Sequence, residues 1–315
     1  MARTTLDLIQ EMLRGKAVLN APMSELTTVR VGGPADILIY PADREDLARL
    51  MPVLSDRAIP YLVLGNGSNL IVRDGGIRGA VLCLREGFST LARLDRGEKG
   101  PAIRAAAGVN LQGFVRWTVD EGIGGFEALC GIPGTVGGAL AMNAGAWGHE
   151  IGERVVELEV MDPSGAVLIR KRDTLRFGYR SLELSPGWII LGAVLQGEAS
   201  APQELKARVT EYFNRRKATQ PLSMPSAGSV FKNPPGRSAG RLIEECGLKG
   251  VRVGDAEVSS VHANFIVNAG KATAGQVVSL ISMMQERVFV KNGVKLEPEV
   301  RIVGDWEKDK LRIRG

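Results

Sequence analysis

The sequence predicts an α+β protein whose organisation changes near residue 200. Three observations predict it. The first two thirds read as short apolar runs, mostly strands, cut by glycine turns. Composition shifts at residues 197–202, and a helical pattern follows. A stretch rich in Pro, Ser and Gly (220–235) then leads to two helical patterns flanking one strand.

Composition narrows the possibilities. The chain's 315 residues and 33.8 kDa suit two domains or three, with cores large enough to need no covalent staple. A net charge of +5 and a pI near 9.2 suit an acidic small ligand better than nucleic acid. Three cysteines without a CxxC exclude a disulfide scaffold and a four-cysteine zinc site. Two histidines exclude most histidine-rich metal sites, so no metal is expected. Glycine is the outlier, with 39 residues, or about 12% against a usual ~7%.

The elements follow in order. A first helix is expected over 4–13, with Leu6, Ile9 and Leu13 on one face. It carries Asp7 and Glu11, so it does not read as a signal peptide. No run approaches the ~20 apolar residues of a membrane span, and a cytoplasmic location without membrane insertion is expected. Residues 36–40 read as a strand, and Asp43 as the N-cap of a helix bearing Leu47, Leu50, Met51 and Leu54. Strands are expected over 61–64, 80–84 and 103–107. Asn110 caps a helix with Leu111, Phe114, Val115 and Val119, which Gly122 ends. Residues 155–161 and 167–170 read as a hairpin, and 188–195 as a further strand. After the shift comes a helix with Leu205, Val209, Tyr212 and Phe213 on one face, ending in Arg215-Arg216-Lys217, where cations suit the helix dipole. Residues 220–235 are expected to be loop. Helices over 239–246 and 274–291 flank a strand at 264–267.

Three glycine segments bear on function. Gly65-Asn66-Gly67-Ser68-Asn69 follows an apolar strand and can present an anion nest, or simply form a tight strand–turn–strand corner. It is neither a dinucleotide fingerprint nor a Walker loop, because Leu70 stands at the third glycine position and no Gly-Lys-Ser/Thr follows. Between residues 122 and 148, nine of 27 residues are glycine. The centre of that stretch, 131–139, lets backbone lie flat against a planar or diphosphate ligand, with residues 134–138 offering N–H donors. A crowded helix–strand crossing explains the same glycines. The third segment, 28–35, is either a Gly-Gly-Pro turn or a way to place Arg30 near an anion.

These segments recur in order with Tyr179-Arg180, with 227–234 (AGSVFKNP), with 262–268 (HANFIVN) and with 296–301 (LEPEVR). The set resembles the UDP-N-acetylenolpyruvoylglucosamine reductases over about residues 27–304. The resemblance implies a two-part FAD-binding region of the vanillyl-alcohol oxidase type at 1–200, split near 80. It also implies an α+β substrate domain at 201–300, and a strand and tail at 301–315 able to return to the FAD region. The chain resembles the shorter form of the family, without the tyrosine-bearing loop that covers substrate in the longer form. One departure is visible: Ser181 follows Arg180 directly, and Leu182 stands where the family often has serine.

By the same resemblance the activity is NADPH-dependent reduction of UDP-N-acetylglucosamine enolpyruvate through non-covalent FAD, in peptidoglycan precursor synthesis. No obligate protein partner is implied. Ser229 would donate a proton, Arg180 would bind the substrate carboxylate, and Glu299 would assist as a protonated or hydrogen-bonding carboxyl. Residue by residue, a surface arginine, a loop serine and a strand glutamate paired with Arg301 or Arg252 explain the same three positions. Cofactor positions are Arg30, Gly65, Asn66, Gly67, Ser68, Asn69, Gly131, Ile132, Pro133, Gly134, Thr135, Gly137, Gly138, Asn143 and Gly145. Substrate positions are Tyr179, Lys217, Lys232 and Asn233. Two other readings stay open. An FAD-dependent carbohydrate or alcohol oxidase on the same fold would need no Ser229 proton. A non-enzymatic nucleotide-binding protein would use the runs at 170–172 and 215–217, but aromatics total only 5% and do not interleave with them.

Overall fold

The computed structural model describes residues 5–95 and 100–306. Thr4 and the tail beyond 306 lie outside the described residues. The expected first helix is α1 (Thr5–Met12). Strand β1 (Lys16–Pro22) pairs antiparallel with β2 (Pro34–Tyr40). Helix α2 (Arg44–Asp56) starts as expected at Asp43, whose carboxylate accepts the Asp46 N–H. Strands β3 (Tyr61–Leu64), β4 (Leu70–Val72) and β5 (Ile77–Cys83) follow. A four-stranded sheet runs β1-β2-β5-β3, and its β2–β5 and β5–β3 pairs are parallel.

A second sheet is antiparallel. It contains β6 (Leu91–Asp95), β7 (Pro101–Ala106), the hairpin β8 (Val155–Met161) and β9 (Val167–Lys171), and β10 (Ile189–Gln196). Its order is β9-β8-β10-β7-β6. Helix α3 (Leu111–Asp120) is capped by Asn110 and buries Leu111, Phe114, Val115 and Val119. One core spans both sheets, joining Ile37, Leu47 and Leu82 to Ile103, Leu158 and Leu191. The short helix α4 (Val136–Ala141), capped by the Thr135 hydroxyl, was not legible as helix because two of its six residues are glycine.

Helix α5 (Pro202–Thr219) leads to the third sheet. The expected loop at 220–235 contains a strand, β11 (Ser226–Ser229), which is a correction to the sequence reading. Ser, Ala and Gly carry little strand propensity, so pairing with distant residues decides the matter. Strand β11 pairs with β14 (Phe265–Asn268) through Ser226–Val267 and Ser229–Phe265, with an irregularity between. After α6 (Ala239–Glu245), the short strands β12 (Arg252–Val253) and β13 (Ala256–Val258) complete the order β11-β14-β13-β12. Helix α7 (Ala274–Asn292) opens with a Thr273–Gln276 capping box and closes on Gly293 in the left-handed region. The chain then returns: β15 (Arg301–Val303) pairs in parallel with β4.

The segment before β2 ties the parts together. The Thr28 N–H donates to Gly67 O at 3.2 Å. Thr28 Oγ1 donates to Ser226 O at 2.6 Å, and Asn268 Nδ2 donates to Val29 O at 3.0 Å. The Asp74 carboxylate accepts the N–H groups of Ala274 and Gly275, each at 2.9 Å, at the start of α7.

A buried carboxylate fixes the N-terminal corner. Asp46, 1% exposed, accepts the N–H groups of Arg14, Gly15 and Ala42 at 2.9–3.0 Å. Burial raises its pKa, but these bonds and Arg49 outweigh burial and hold it below the ordinary aspartate range. Its stabilisation is therefore present above the ordinary aspartate pKa and lost as pH falls through the lowered one. Asp46→Asn should cost about 2 kcal/mol in urea unfolding at neutral pH and less at pH 3. An equal cost at both pH values would contradict this account.

Candidate functional site

A cavity of about 980 Å³ lies where the first sheet, α4, α5 and the third sheet meet. Its floor combines two of the glycine segments. Residues 65–69 form the expected strand–turn–strand corner between β3 and β4 and also line the cavity. The two segments touch: Ser68 Oγ donates to Pro133 O at 2.7 Å, and a Cβ at Gly65 would come within 2.7 Å of Thr135 Oγ1. Gly67 has φ +62, and a Cβ there would sit 2.1 Å from Leu26 O. Only glycine lets the corner close against Leu26. Among the described residues, the N–H groups of Asn66, Gly67, Ser68 and Asn69 have no protein acceptor, as an anion nest requires.

The second segment is only partly as expected. Of the donors anticipated over 134–138, three are spent within the fold: Val136 N–H on Val109 O, Gly137 N–H on Ala107 O and Gly138 N–H on Thr135 Oγ1. Two go to the backbone at 107 and 109, against which α4 packs, and one to the α4 cap. Gly137 does not line the cavity; a Cβ there would meet Ala107 Cβ at 2.7 Å, so it serves a close helix–strand crossing. Gly131, Ile132, Pro133, Gly134, Thr135, Gly138 and Gly145 do line the cavity.

Three chemically active groups open into the same space: Arg180, Ser229 and Glu299. Arg180 sits in a tight turn at φ +57 between two short paired segments, 177–178 and 181–182. The turn is anchored by buried Asn143, whose Nδ2 donates to Gly178 O at 3.0 Å and to Glu150 Oε2 at 2.5 Å. Arg180 Nη2 donates to Gly145 O at 3.0 Å, and its Nε lies 3.1 Å from Glu299 Oε1. Neither side chain is a surface group: they are 19% and 17% exposed. The partner of Glu299 is thus Arg180, not Arg301 or Arg252. Burial raises the Glu299 pKa above the ordinary glutamate range, against the opposing pull of Arg180 and Lys232. Ser229 ends β11, held by its pairing with Phe265.

Other expected positions fall elsewhere. Arg30 is exposed at φ +58 and outside the cavity lining. Asn143 lies behind the lining, as the anchor just described. Tyr179 is 47% exposed, under the Arg180 guanidinium at 5.0 Å. Lys232 Nζ pairs with Glu297 at 2.6 Å, and Asn233 Oδ1 accepts the Ala239 N–H at the start of α6. Lys217 is exposed on α5 outside the lining, whereas its neighbour Arg216 is buried and lines the cavity.

Arg216 is the main residue that sequence reasoning passed over. Its guanidinium lies 5.0 Å from the Trp147 ring, which stacks on Tyr212 at 4.7 Å. Its Nη1 donates to Gln220 Oε1 at 3.1 Å, while the buried Nε has no partner among the described residues. A buried cation with an unsatisfied donor, next to a glycine floor with free N–H groups, suits an anionic ligand. The available signal was positional: the basic triplet ends a helix whose apolar face packs inward, and only its middle member follows that face. The donor set therefore fits a large diphosphate-bearing cofactor such as the expected FAD.

Two family models match. One, described as an FAD binding domain, covers residues 35–169, which include strands of both N-terminal sheets. The other, the C-terminal domain of UDP-N-acetylenolpyruvoylglucosamine reductase, covers residues 220–303. Among curated relatives, the UDP-N-acetylenolpyruvoylglucosamine reductase of Geobacter metallireducens is 48% identical over 93% of this chain and 96% of its own. That of Caldanaerobacter subterraneus is 42% identical over 97% of this chain and 100% of its own. The crystal structure of the Thermus caldophilus reductase superposes with a TM-score of 0.79 at 40% identity, covering 93% of this chain and 100% of that one.

Removing Arg180 removes a group that lowers the Glu299 pKa. In Arg180→Met, carboxyl NMR should show Glu299 titrating higher than in the wild type, where it already titrates above ordinary glutamate. Titration in the ordinary range in both proteins would contradict the burial argument.

Proposed function

The chain belongs to the UDP-N-acetylenolpyruvoylglucosamine reductase family and carries an FAD-binding domain, and from that premise we propose that it reduces UDP-N-acetylglucosamine enolpyruvate to UDP-N-acetylmuramate with electrons from NADPH. One observation carries the assignment of roles: Arg180 and Glu299, 3.1 Å apart, open with Ser229 into the glycine-floored cavity. Residues 1–200 serve FAD and residues 201–300 serve the UDP-sugar. The third sheet, α6 and α7 form a core of their own, which Val29, Val31 and Ile71 also enter, while α5 packs on the first core through Val209 and Tyr212.

Residues 65–69, through their backbone N–H groups, and 131–135, with Arg216, would hold FAD, and the bound cofactor supplies the hydride. The chain's own residues do the rest. The substrate is an enolpyruvyl ether, so hydride arrives at its terminal CH₂ carbon and negative charge develops at the neighbouring carbon and in the carboxylate. Arg180, permanently charged and able to bond both carboxylate oxygens, stabilises that charge. Ser229 delivers one proton to the neighbouring carbon, completing the methyl-bearing lactyl ether. Glu299 assists best while protonated, since an ionised carboxylate would oppose the developing charge. Burial favours the neutral form. Substrate would displace Arg180 from Glu299 towards its own carboxylate. On the nucleotide side this reading uses Tyr179, Lys217, Lys232 and Asn233. With no second nucleotide fold in the sequence, NADPH and enolpyruvate would use one cleft in turn. A cytoplasmic place in peptidoglycan precursor synthesis follows from the substrate and from three free cysteines.

The test is anaerobic. NADPH should bleach the flavin and enolpyruvate should restore the yellow band. Recovery only on admitting oxygen would favour an oxidase instead. Ser229→Ala should bleach normally but recover with enolpyruvate about 10²–10⁴-fold more slowly, the usual value of a positioned general acid. Equal recovery rates in Ser229→Ala and wild type would remove Ser229 from the mechanism.

A further inference from the structure

The side-chain NH2 of Asn69, a residue that lines the cavity, is taken up by the protein. Its Nδ2 donates to the backbone carbonyl of Glu299 at 3.0 Å and approaches Met142 Sδ at 3.4 Å. Its own backbone carbonyl accepts the Arg301 N–H at 3.0 Å. Asn69 therefore grips the chain on both sides of Val300, with both amide hydrogens committed. On the other side of Glu299, its N–H donates to Val230 O at 2.8 Å, and Val230 directly follows Ser229. The backbone of the carboxyl-bearing residue is thus fixed between the cofactor loop and the neighbour of the proton donor. Without the Asn69 amide, the Glu299 carbonyl would lose its only side-chain donor beside the cavity.

We propose that Asn69 is a positioning residue that clamps Glu299 to the glycine loop and sets where its carboxyl meets Arg180. This inference rests on the function proposed above and deepens it. A residue in a glycine-rich cofactor loop then serves the substrate half of the reaction and not the cofactor. The charged groups facing the Glu299 carboxyl are Arg180, from the turn at 177–182, and Lys232, itself paired with Glu297. The clamp acts by holding the carboxyl at a fixed distance from these two. Misplacement by an ångström or so costs a reaction about 10²-fold, so loss of the clamp should be visible in rate.

The test uses the full-length, FAD-loaded protein and two variants, Asn69→Ala and the near-isosteric Asn69→Asp, both of which remove the donor. Flavin bleaching by NADPH and recovery with enolpyruvate are followed anaerobically across pH, with FAD content and carboxyl NMR of Glu299 measured alongside. FAD content and bleaching should stay within about twofold of wild type. Recovery should fall tenfold or more, its pH profile should move, and the Glu299 titration should move with it. Loss of FAD with unchanged recovery per bound flavin would make Asn69 an ordinary cofactor ligand and overturn the proposal. Equal slowing of both half-reactions, or no change in either, would overturn it too. A wild-type protein that enolpyruvate cannot reoxidise would sink the functional reading instead, while the Glu299 titration would still report on the clamp.

Discussion

Residues 299–303 leave the C-terminal domain and return to the N-terminal one, and the geometry of the site depends on that return. Strand β15 pairs in parallel with β4, which leaves the first glycine loop directly. The Arg73 N–H continues the contact to Val303 O at 2.9 Å, and Asp305 bonds with residues 75 and 76. Glu299 lies two residues before this pairing, so its place is set by a ladder shared between domains. Arg180 arrives from the second sheet's side of the molecule, and Ser229 from the third sheet. Three groups from three regions converge because the chain closes on itself at this seam.

Electrostatics explains why the convergence is useful. Arg180 and Arg216 both line the cavity, and Arg180 raises the cost of the Arg216 charge. Burial is the larger influence on Arg216, and Arg180 adds to it. A buried guanidinium and a partly buried one line the cavity with Glu299, and these three groups leave an excess of positive charge. Anionic ligands relieve it. A diphosphate and a carboxylate would each offset that charge. The raised pKa of Glu299 follows from the same dryness. Folding raises this carboxyl, so it favours the folded state least once pH has passed from the ordinary glutamate pKa through the raised one. The function proposed above would draw on that loss, since a carboxyl beside the reacting carbon serves it best when protonated.

Local chemistry made much of the fold legible. Asp43 and Asn110 announced their helices by capping, and apolar spacing placed Leu47, Leu50, Met51 and Leu54 inside. The glycine segments marked the cavity, and an ordered set of motifs marked Arg180, Ser229 and Glu299. What escaped was non-local. Strand β11 exists because of β14, nearly forty residues away in sequence, and small residues carry no trace of that pairing. Helix α4 hid among glycines, and backbone donors expected to face a ligand bond instead to residues 107 and 109 and to the Thr135 cap. Arg216 and Lys217 are adjacent and chemically alike, so only the rotation of α5 decides which is buried. Asn69 and Asn143 sit in the right segments but act on protein backbone, a distinction that motif spacing does not encode.

The most direct measurement is a crystal structure of the FAD-loaded protein with UDP-N-acetylmuramate bound. The account requires the lactyl carboxylate on Arg180, the Ser229 hydroxyl within hydrogen-bond reach of the adjoining carbon, and Glu299 still held by Asn69 and Val230. A product whose carboxylate lies away from Arg180, or a Glu299 that has left the seam, would contradict it.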